Sequence, residues 1–192
     1  MRWVRRCLWL GLLVAVAPAA ARADEPARVH AEVDPLPFAR GGYGAQLGLR
    51  LRGSGLRFAV ASFALDVPDA ATQLSGNDGF HARVRPSGAV YVLYYPSPTR
   101  GGWAFGGSLR YLRLRYRHDD EPGARANVTE LSPELIAGYK WHPRPAGFYL
   151  QPWFGLGVTA ARDGDLDVGA RTYDPPPVQL FATVNLGWDV AL

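Results

Sequence analysis

The sequence predicts an all-β chain whose eight antiparallel strands run up and down into a closed barrel. Three observations predict it. Apolar and polar residues alternate in eight segments separated by Gly-, Pro- and Asp-rich breaks. The connections between these segments alternate between tight and long. After the first two dozen residues no stretch keeps a 3.6-residue apolar period or a long apolar run.

Residues 1–23 are read apart from the barrel. "MRWVRR" is a short basic start, "CLWLGLLVAVAPAAA" is an apolar run, and Ala21–Ala23 offer an A-x-A cleavage site before Asp24. This is the layout of a secretory signal peptide, and the run is short for a membrane helix. Residues 24–192 then form one barrel domain. Cys7 is the one cysteine and precedes the apolar run, which speaks against a lipidated cysteine. Without it the remainder has no disulfide, thiol nucleophile or thiolate metal site. Four of the 21 Lys and Arg (Arg2, Arg5, Arg6 and Arg22) fall in residues 1–23, which hold no acid. The remaining 17 basic side chains match 17 acidic ones, so charge gives no case for nucleic-acid binding. All basic residues but Lys140 are Arg, the residue with a forked donor.

The strands follow in order near 28–35, 42–52, 56–66, 81–95, 102–117, 127–142, 147–160 and 178–192. In the first, Val29, Ala31 and Val33 alternate with His30, Glu32 and Asp34. In the second, Tyr43, Ala45, Leu47, Leu49 and Leu51 alternate with Gly44, Gln46, Gly48, Arg50 and Arg52. Across 127–142, Leu131, Pro133, Leu135, Ala137, Tyr139 and Trp141 alternate with Glu130, Ser132, Glu134, Ile136, Gly138 and Lys140. Phe148, Leu150, Pro152, Phe154, Leu156 and Val158 alternate with Tyr149, Gln151, Trp153, Gly155, Gly157 and Thr159. The last strand alternates strictly up to Leu192, and in a closed barrel it pairs with the first, leaving no edge. "RGSG" (52–55), "PSPTRGG" (96–102) and "HPRPAG" (142–147) are tight turns. Residues 67–80, 117–126 and 161–177 are longer and rich in Asp, and "PLPFARGG" (35–42) is intermediate.

Each strand thus has an oily stripe and a wet or small one. A soluble lipocalin-like barrel would turn the oily stripe inward around a ligand cavity. A membrane barrel turns it outward. The aromatics decide: Tyr94, Trp103, Phe105, Trp141, Phe148 and Trp188 all fall near the short-turn end, on or beside the oily stripe, as an interfacial girdle would. The expected fold is therefore an eight-stranded antiparallel up-and-down transmembrane β-barrel after a cleaved signal peptide.

The ending, with Leu186, Trp188, Val190 and Leu192 at alternate positions, resembles the C-terminal assembly signal of outer-membrane barrels, where the last residue is usually aromatic. The whole pattern resembles small eight-stranded outer-membrane proteins of the OmpX, OmpW and OmpA-barrel kind. That resemblance implies a Gram-negative outer membrane and insertion by the barrel assembly machinery. It also implies contact with outer-membrane lipid and lipopolysaccharide, and a monomer.

Strand 102–117 breaks phase. Trp103, Phe105, Leu109 and Tyr111 share one parity; Leu112, Leu114 and Tyr116 share the other. A bulge at 111–112 would keep all of them on lipid and turn Arg110, Arg113, Arg115 and Arg117 inward. Without it, Arg113, Arg115 and Arg117 face outward at the outer rim, where they would meet lipopolysaccharide phosphates. The cost of charge against lipid, roughly 2–4 kcal/mol at mid-membrane, favours the bulge. The expected lumen is then an ion-pair network of Arg50, Arg83, Arg85, Arg110, Arg113, Arg115, Glu130, Glu134 and Lys140. With eight strands such a lumen is filled and not an open channel.

Enzyme chemistry finds little support. The histidines are His30, His81, His118 and His142, and none sits in the His-x-Ser-Asn arrangement of lipid A deacylases. Catalysis at the outer rim would fall to His81 or His118 with Asp119 and Ser75. "DGDLDVGARTYD" spaces Asp163, Asp165, Asp167 and Asp174 like a calcium loop, but Val168 stands where that loop needs Gly and Asp174 where it needs Glu. A solvated acidic loop is the plainer reading, with no resident metal. "GSG" and "GGYG" precede no helix, so no phosphate loop and no cofactor is expected. The expected role is a non-enzymatic outer-membrane barrel, structural or surface-interacting, with Asp-rich loops outside. A lipid-modifying acyl hydrolase or acyltransferase and a carrier of small hydrophobic ligands are the alternatives.

Overall fold

The structure is a computed structural model, and it describes residues 25–97, 101–143 and 147–192. The expected signal peptide and the centres of two tight turns lie outside the described residues. The strands are β1 (Arg28–Val33), β2 (Tyr43–Arg50), β3 (Leu56–Asp66), β4 (Phe80–Tyr94), β5 (Gly102–His118) and β6 (Glu121–Lys140). They continue with β7 (Gly147–Gly157), β8 (Ala161–Gly164), β9 (Asp167–Val168), β10 (Arg171–Thr172) and β11 (Gln179–Ala191).

Among the described residues, β1 to β7 and β11 form one sheet closed on itself, each strand antiparallel to both neighbours. The last strand meets the first from Arg28↔Ala191 to Val33↔Leu186. The Leu192 amide donates to the Ala27 carbonyl at 2.9 Å, so backbone donors on both flanks are satisfied. No described helix is long and apolar enough to cross a membrane, which leaves open crossing by strands.

The faces divide as the alternation requires. Leu47, Leu135, Phe154, Leu156 and Leu180 stand outside, with Leu135 71% exposed. His30, Glu32, Arg50, Glu130, Ser132, Glu134, Lys140, Gln151 and Asp189 are buried inside. Small inward residues make room for large ones. Gly138 lies opposite Trp153, Gly155 opposite Phe181 and Gly187 opposite Tyr149, and a Cβ at any of these glycines would collide with the ring. This is the small-against-large filling that a narrow barrel needs.

The upper half departs from the expected plan in two places. The phase break in β5 is not a bulge. β5 pairs with β6 without a slip from Gly102↔Lys140 to Tyr116↔Ala126. The bulge lies instead in β4, where Arg85 faces Arg113 and Gly88 faces Tyr111, so Pro86 and Ser87 oppose one residue. Proline has no amide proton for the ladder, and the Ser87 hydroxyl fills the gap: it donates to the Arg85 carbonyl at 2.7 Å and accepts the Arg113 amide at 2.9 Å. The second departure is residues 117–126, which form no loop. β5 and β6 run on to His118 and Glu121, joined by Asp119 and Asp120.

This extension explains the change of parity. Leu112, Leu114 and Tyr116 point inward and build an upper core with Phe80, Val84, Val128, Val168 and Tyr173. Tyr173 stacks on Tyr116 with ring centroids 4.1 Å apart. Above Tyr111 the wall follows the usual rule of a water-facing surface: oily side chains turn in and ions turn out. The chain after β7 supplies the lid of this core. β8 takes over the β6 edge at Val128–Leu131, and the β9–β10 hairpin tucks Val168 inside, fully buried.

Candidate functional site

Two features of the barrel carry chemistry: the ion-paired lumen and the outer rim. The lumen is stacked in levels along the axis. At the bottom, Asp189 of β11 accepts Lys140 of β6 at 2.9 Å, with Arg28 at 3.4 Å and His142 at 3.6 Å. The Lys140 ammonium also lies 3.7 Å from the centre of the Tyr149 ring. Arg50 reaches Glu25 at 3.7 Å. In the middle, Glu32 and Arg57 meet at 2.5 Å, both side chains wholly buried. Glu32 also accepts Tyr149 at 2.6 Å and Asn185 at 2.7 Å, while Arg57 donates to Tyr95 at 3.1 Å. Higher still, Arg110 pairs with Glu134, which accepts Ser108 at 2.6 Å. At the top, Glu130 takes Arg162 at 2.7 Å and Thr159 at 3.2 Å.

Each charge here has a partner, as burial demands. The strand periodicity places them: every inward residue two steps along a strand reaches the next level up. The lumen holds a cavity of about 80 Å³, lined by Tyr91, Ile136, Trp153 and Phe181 together with Glu32 and Asn185. Small-molecule sites occupy roughly 300–1,000 Å³.

Of the expected lumen residues, Arg50, Arg110, Glu130, Glu134 and Lys140 face inward. Arg83, Arg85, Arg113 and Arg115 do not, which corrects the expected network. With no bulge in β5 and one in β4, all four project from the outer wall above the oily belt. Glu130 is held by Arg162 of β8, a residue outside the expected network. Sequence reasoning missed Glu32, Arg57, Tyr95, Tyr149, Gln151, Asn185 and Asp189 as network members. The alternation of β1, β7 and β11 already put Glu32, Tyr149, Gln151, Asn185 and Asp189 on the wet stripe, so the signal was there to extend.

At the rim, His81 stands between Asp69 (2.9 Å from Nδ1) and Asp119 (2.8 Å from Nε2). Its hydrogen bonds to Asp119 and then Asp69 raise its pKa above the ordinary histidine value. Both ring nitrogens are taken by carboxylates, so neither is free to deprotonate a hydroxyl. Ser75 donates to the Thr72 carbonyl at 2.8 Å, and His118 accepts the Asp120 amide at 3.1 Å. Of the expected catalytic grouping, His81 and Asp119 meet, but Ser75 is bonded to Thr72 and Asn77 and does not join them. The calcium-loop echo does not assemble. Asp165 caps the Asp167 amide, Asp167 accepts Thr172 at 2.5 Å, and the Asp174 amide donates to Asn77. Among the described residues no three His, Cys, Asp or Glu converge as metal ligands; Asp163 lies in β8 opposite Thr129, and Asp174 meets Asn77 through its backbone.

No family model and no curated protein matches the chain. Solved structures do resemble it. Neisserial surface protein A has a TM-score of 0.49 and 14% identity, over 86% of this chain and 96% of that one. A major outer membrane protein from Thermus thermophilus has a TM-score of 0.49 and 15% identity, over 85% and 98%. Both likenesses concern the course of the backbone; the side chains of the lumen and the rim are this chain's own.

The outer wall completes the picture. Trp103, Phe105, Trp141, Phe148 and Trp188 are exposed near the short-turn end, with Tyr94 half-buried beside them. Trp188 lies opposite Phe148, Tyr94 opposite Phe105, and Trp103 packs edge-on to Tyr139 with centroids 5.5 Å apart. Leu186, Trp188, Val190 and Leu192 share this outer face along β11 and its end.

Proposed function

We propose that the chain is a non-enzymatic integral outer-membrane barrel with a closed lumen and a structured cap on its outer side, serving a structural or surface-interaction role. One observation carries the reading. An unbroken oily belt surrounds a wall whose interior holds buried ion pairs, and such an exterior is at rest only against acyl chains. Along β5 the outward residues from Trp103 to Tyr111 span about 27 Å of strand, or about 20 Å of height at the usual tilt. The aromatics at the short-turn end then mark the periplasmic interface, and the cap over Val168 and Tyr173 faces outward from the cell.

A filled axis argues against conduction, and a cavity of about 80 Å³ argues against a carrier of drug-sized ligands. The doubly engaged His81 argues against rim catalysis. The test has two parts. The full chain should fractionate with outer membrane and shift its gel mobility on boiling, and in planar bilayers it should give no steady conductance. A chain that remains soluble, or one with a stable open state, would overturn the reading.

A further inference from the structure

Above the oily belt, the outer face of β4, β5 and β6 carries six arginines: Arg83, Arg85, Arg113, Arg115, Arg117 and Arg125. Arg83 stands directly opposite Arg115, and Arg85 opposite Arg113. Arg125 adjoins Ala126, the partner of Tyr116, and so flanks Arg117. Like charges opposite one another on a sheet repel. Acidic relief is sparse: Asp66 reaches Arg83 at 3.3 Å, while Arg115 donates only to the neutral Asn127 side chain at 3.3 Å. The carboxylates of Asp69 and Asp119, one row higher, are engaged with His81. Among the described residues Arg85, Arg113, Arg117 and Arg125 have no carboxylate within ion-pair distance.

The cluster sits at a particular height. Directly below it on the same strands are Val90 and Val92, Leu109 and Tyr111, and Leu131 and Leu135. Arg113 is the next outward residue after Tyr111, only about 5 Å above the end of the belt. A molecule that fits both rows is amphipathic, with acyl chains below and several negative charges at its head. Guanidinium forks match phosphate oxygens bidentately.

Resting on the outer-membrane reading above, we propose that these six arginines bind the phosphorylated headgroup of an outer-leaflet glycolipid, whose acyl chains lie on the belt beneath. The site is a built feature of the wall. The Pro86–Ser87 bulge is what brings Arg83 and Arg85 to the outer face over the outward Val90 and Val92; without it the parity of β4 would put one pair inside.

The test uses the full-length barrel in neutral detergent, titrated with bisphosphorylated lipid A and read by native mass spectrometry. Variants are Arg85→Gln/Arg113→Gln/Arg115→Gln, the corresponding triple Lys variant, and Arg171→Gln, which lies in the loop paired with Asp120. Heat-modifiable migration checks each variant's fold. We expect the triple Gln variant to bind about tenfold or more weaker, the Lys variant to recover part of the loss, and Arg171→Gln to match the wild type. Monophosphorylated lipid A should bind less well than the bisphosphorylated form, and inorganic phosphate at equal concentration should not compete. Unchanged binding by a folded triple Gln variant, or equal binding of a lipid without phosphate, would overturn the site and leave the membrane reading intact. Full competition by inorganic phosphate would overturn the lipid as its ligand. A chain that fails to enter membranes at all would remove both.

Discussion

Glu32 of β1 and Arg57 of β3 meet at 2.5 Å across the lumen, with no solvent exposure on either side chain. Removing one partner strands the other charge in the wall's interior, which costs about 3–5 kcal/mol, whereas removing both costs far less. Arg57→Met and Glu32→Gln should each lower the unfolding free energy of the refolded barrel by that amount, read from its urea transition. The double variant should recover much of the loss, and a double-mutant cycle in detergent micelles measures it.

The outer wall makes an equally direct demand. Leu135 is 71% exposed in the middle of the belt, and Leu74 is 90% exposed in the loop between β3 and β4. Leu135→Arg should destabilise the folded barrel in lipid vesicles by about 2–4 kcal/mol. Leu74→Arg should stay within about 0.5 kcal/mol, since a water-facing loop exacts no such penalty. Equilibrium folding into vesicles of defined thickness compares the two.

Inside, Gly138 leaves space that the Trp153 ring fills. Gly138→Val has no room without displacing that ring or the backbone, and should cost about 1–3 kcal/mol. Gly138→Val paired with Trp153→Leu should recover part of it. Tryptophan near-ultraviolet dichroism and the thermal midpoint follow the change.

His81 couples a short helix between β3 and β4 (Asp69–Leu74) to the hairpin at Asp119, and these bonds raise its pKa. A histidine whose folded pKa is raised contributes its stability in full below its unfolded value of 6.5, and loses it as pH climbs through the folded value. The outer cap should therefore be tightest in mild acid and loosen above neutrality. Solvent screening keeps the effect small at this exposed position. Hydrogen exchange at residues 69–74 and 119–121 should slow as pH falls from 8 to 6, after correction for intrinsic rates, and His81→Gln should abolish the extra slowing.

How much of this was legible in the sequence follows from the physics of each region. β1, β2, β7 and β11 cross the belt with one environment on each face, so period-two alternation alone fixes their orientation, as in Phe154 against Gln151. The outer face of β5 changes from oily to charged after Tyr111. Leu112 and Arg113 therefore read as a slip although the backbone is regular. The actual bulge, at Pro86–Ser87, lay in a stretch with no sharp contrast between faces. Tertiary pairing hid the rest. Nothing in "ARDG" tells that it will replace β7 beside β6, and so Arg162 could not be read as the partner of Glu130.

Orientation of the wall is the claim on which the others depend, and single-cysteine spin labels test it most directly. With Cys7 replaced, labels at Leu135, Phe154 and Leu186 in reconstituted bilayers should collide with oxygen dissolved in lipid and not with a water-soluble nickel complex. Labels at Ser132 and Gln151 should be shielded from both. Nickel access at Ser132, or protection of Leu135 and Phe154 from oxygen, would mean that the oily faces pack inward, and would contradict the account.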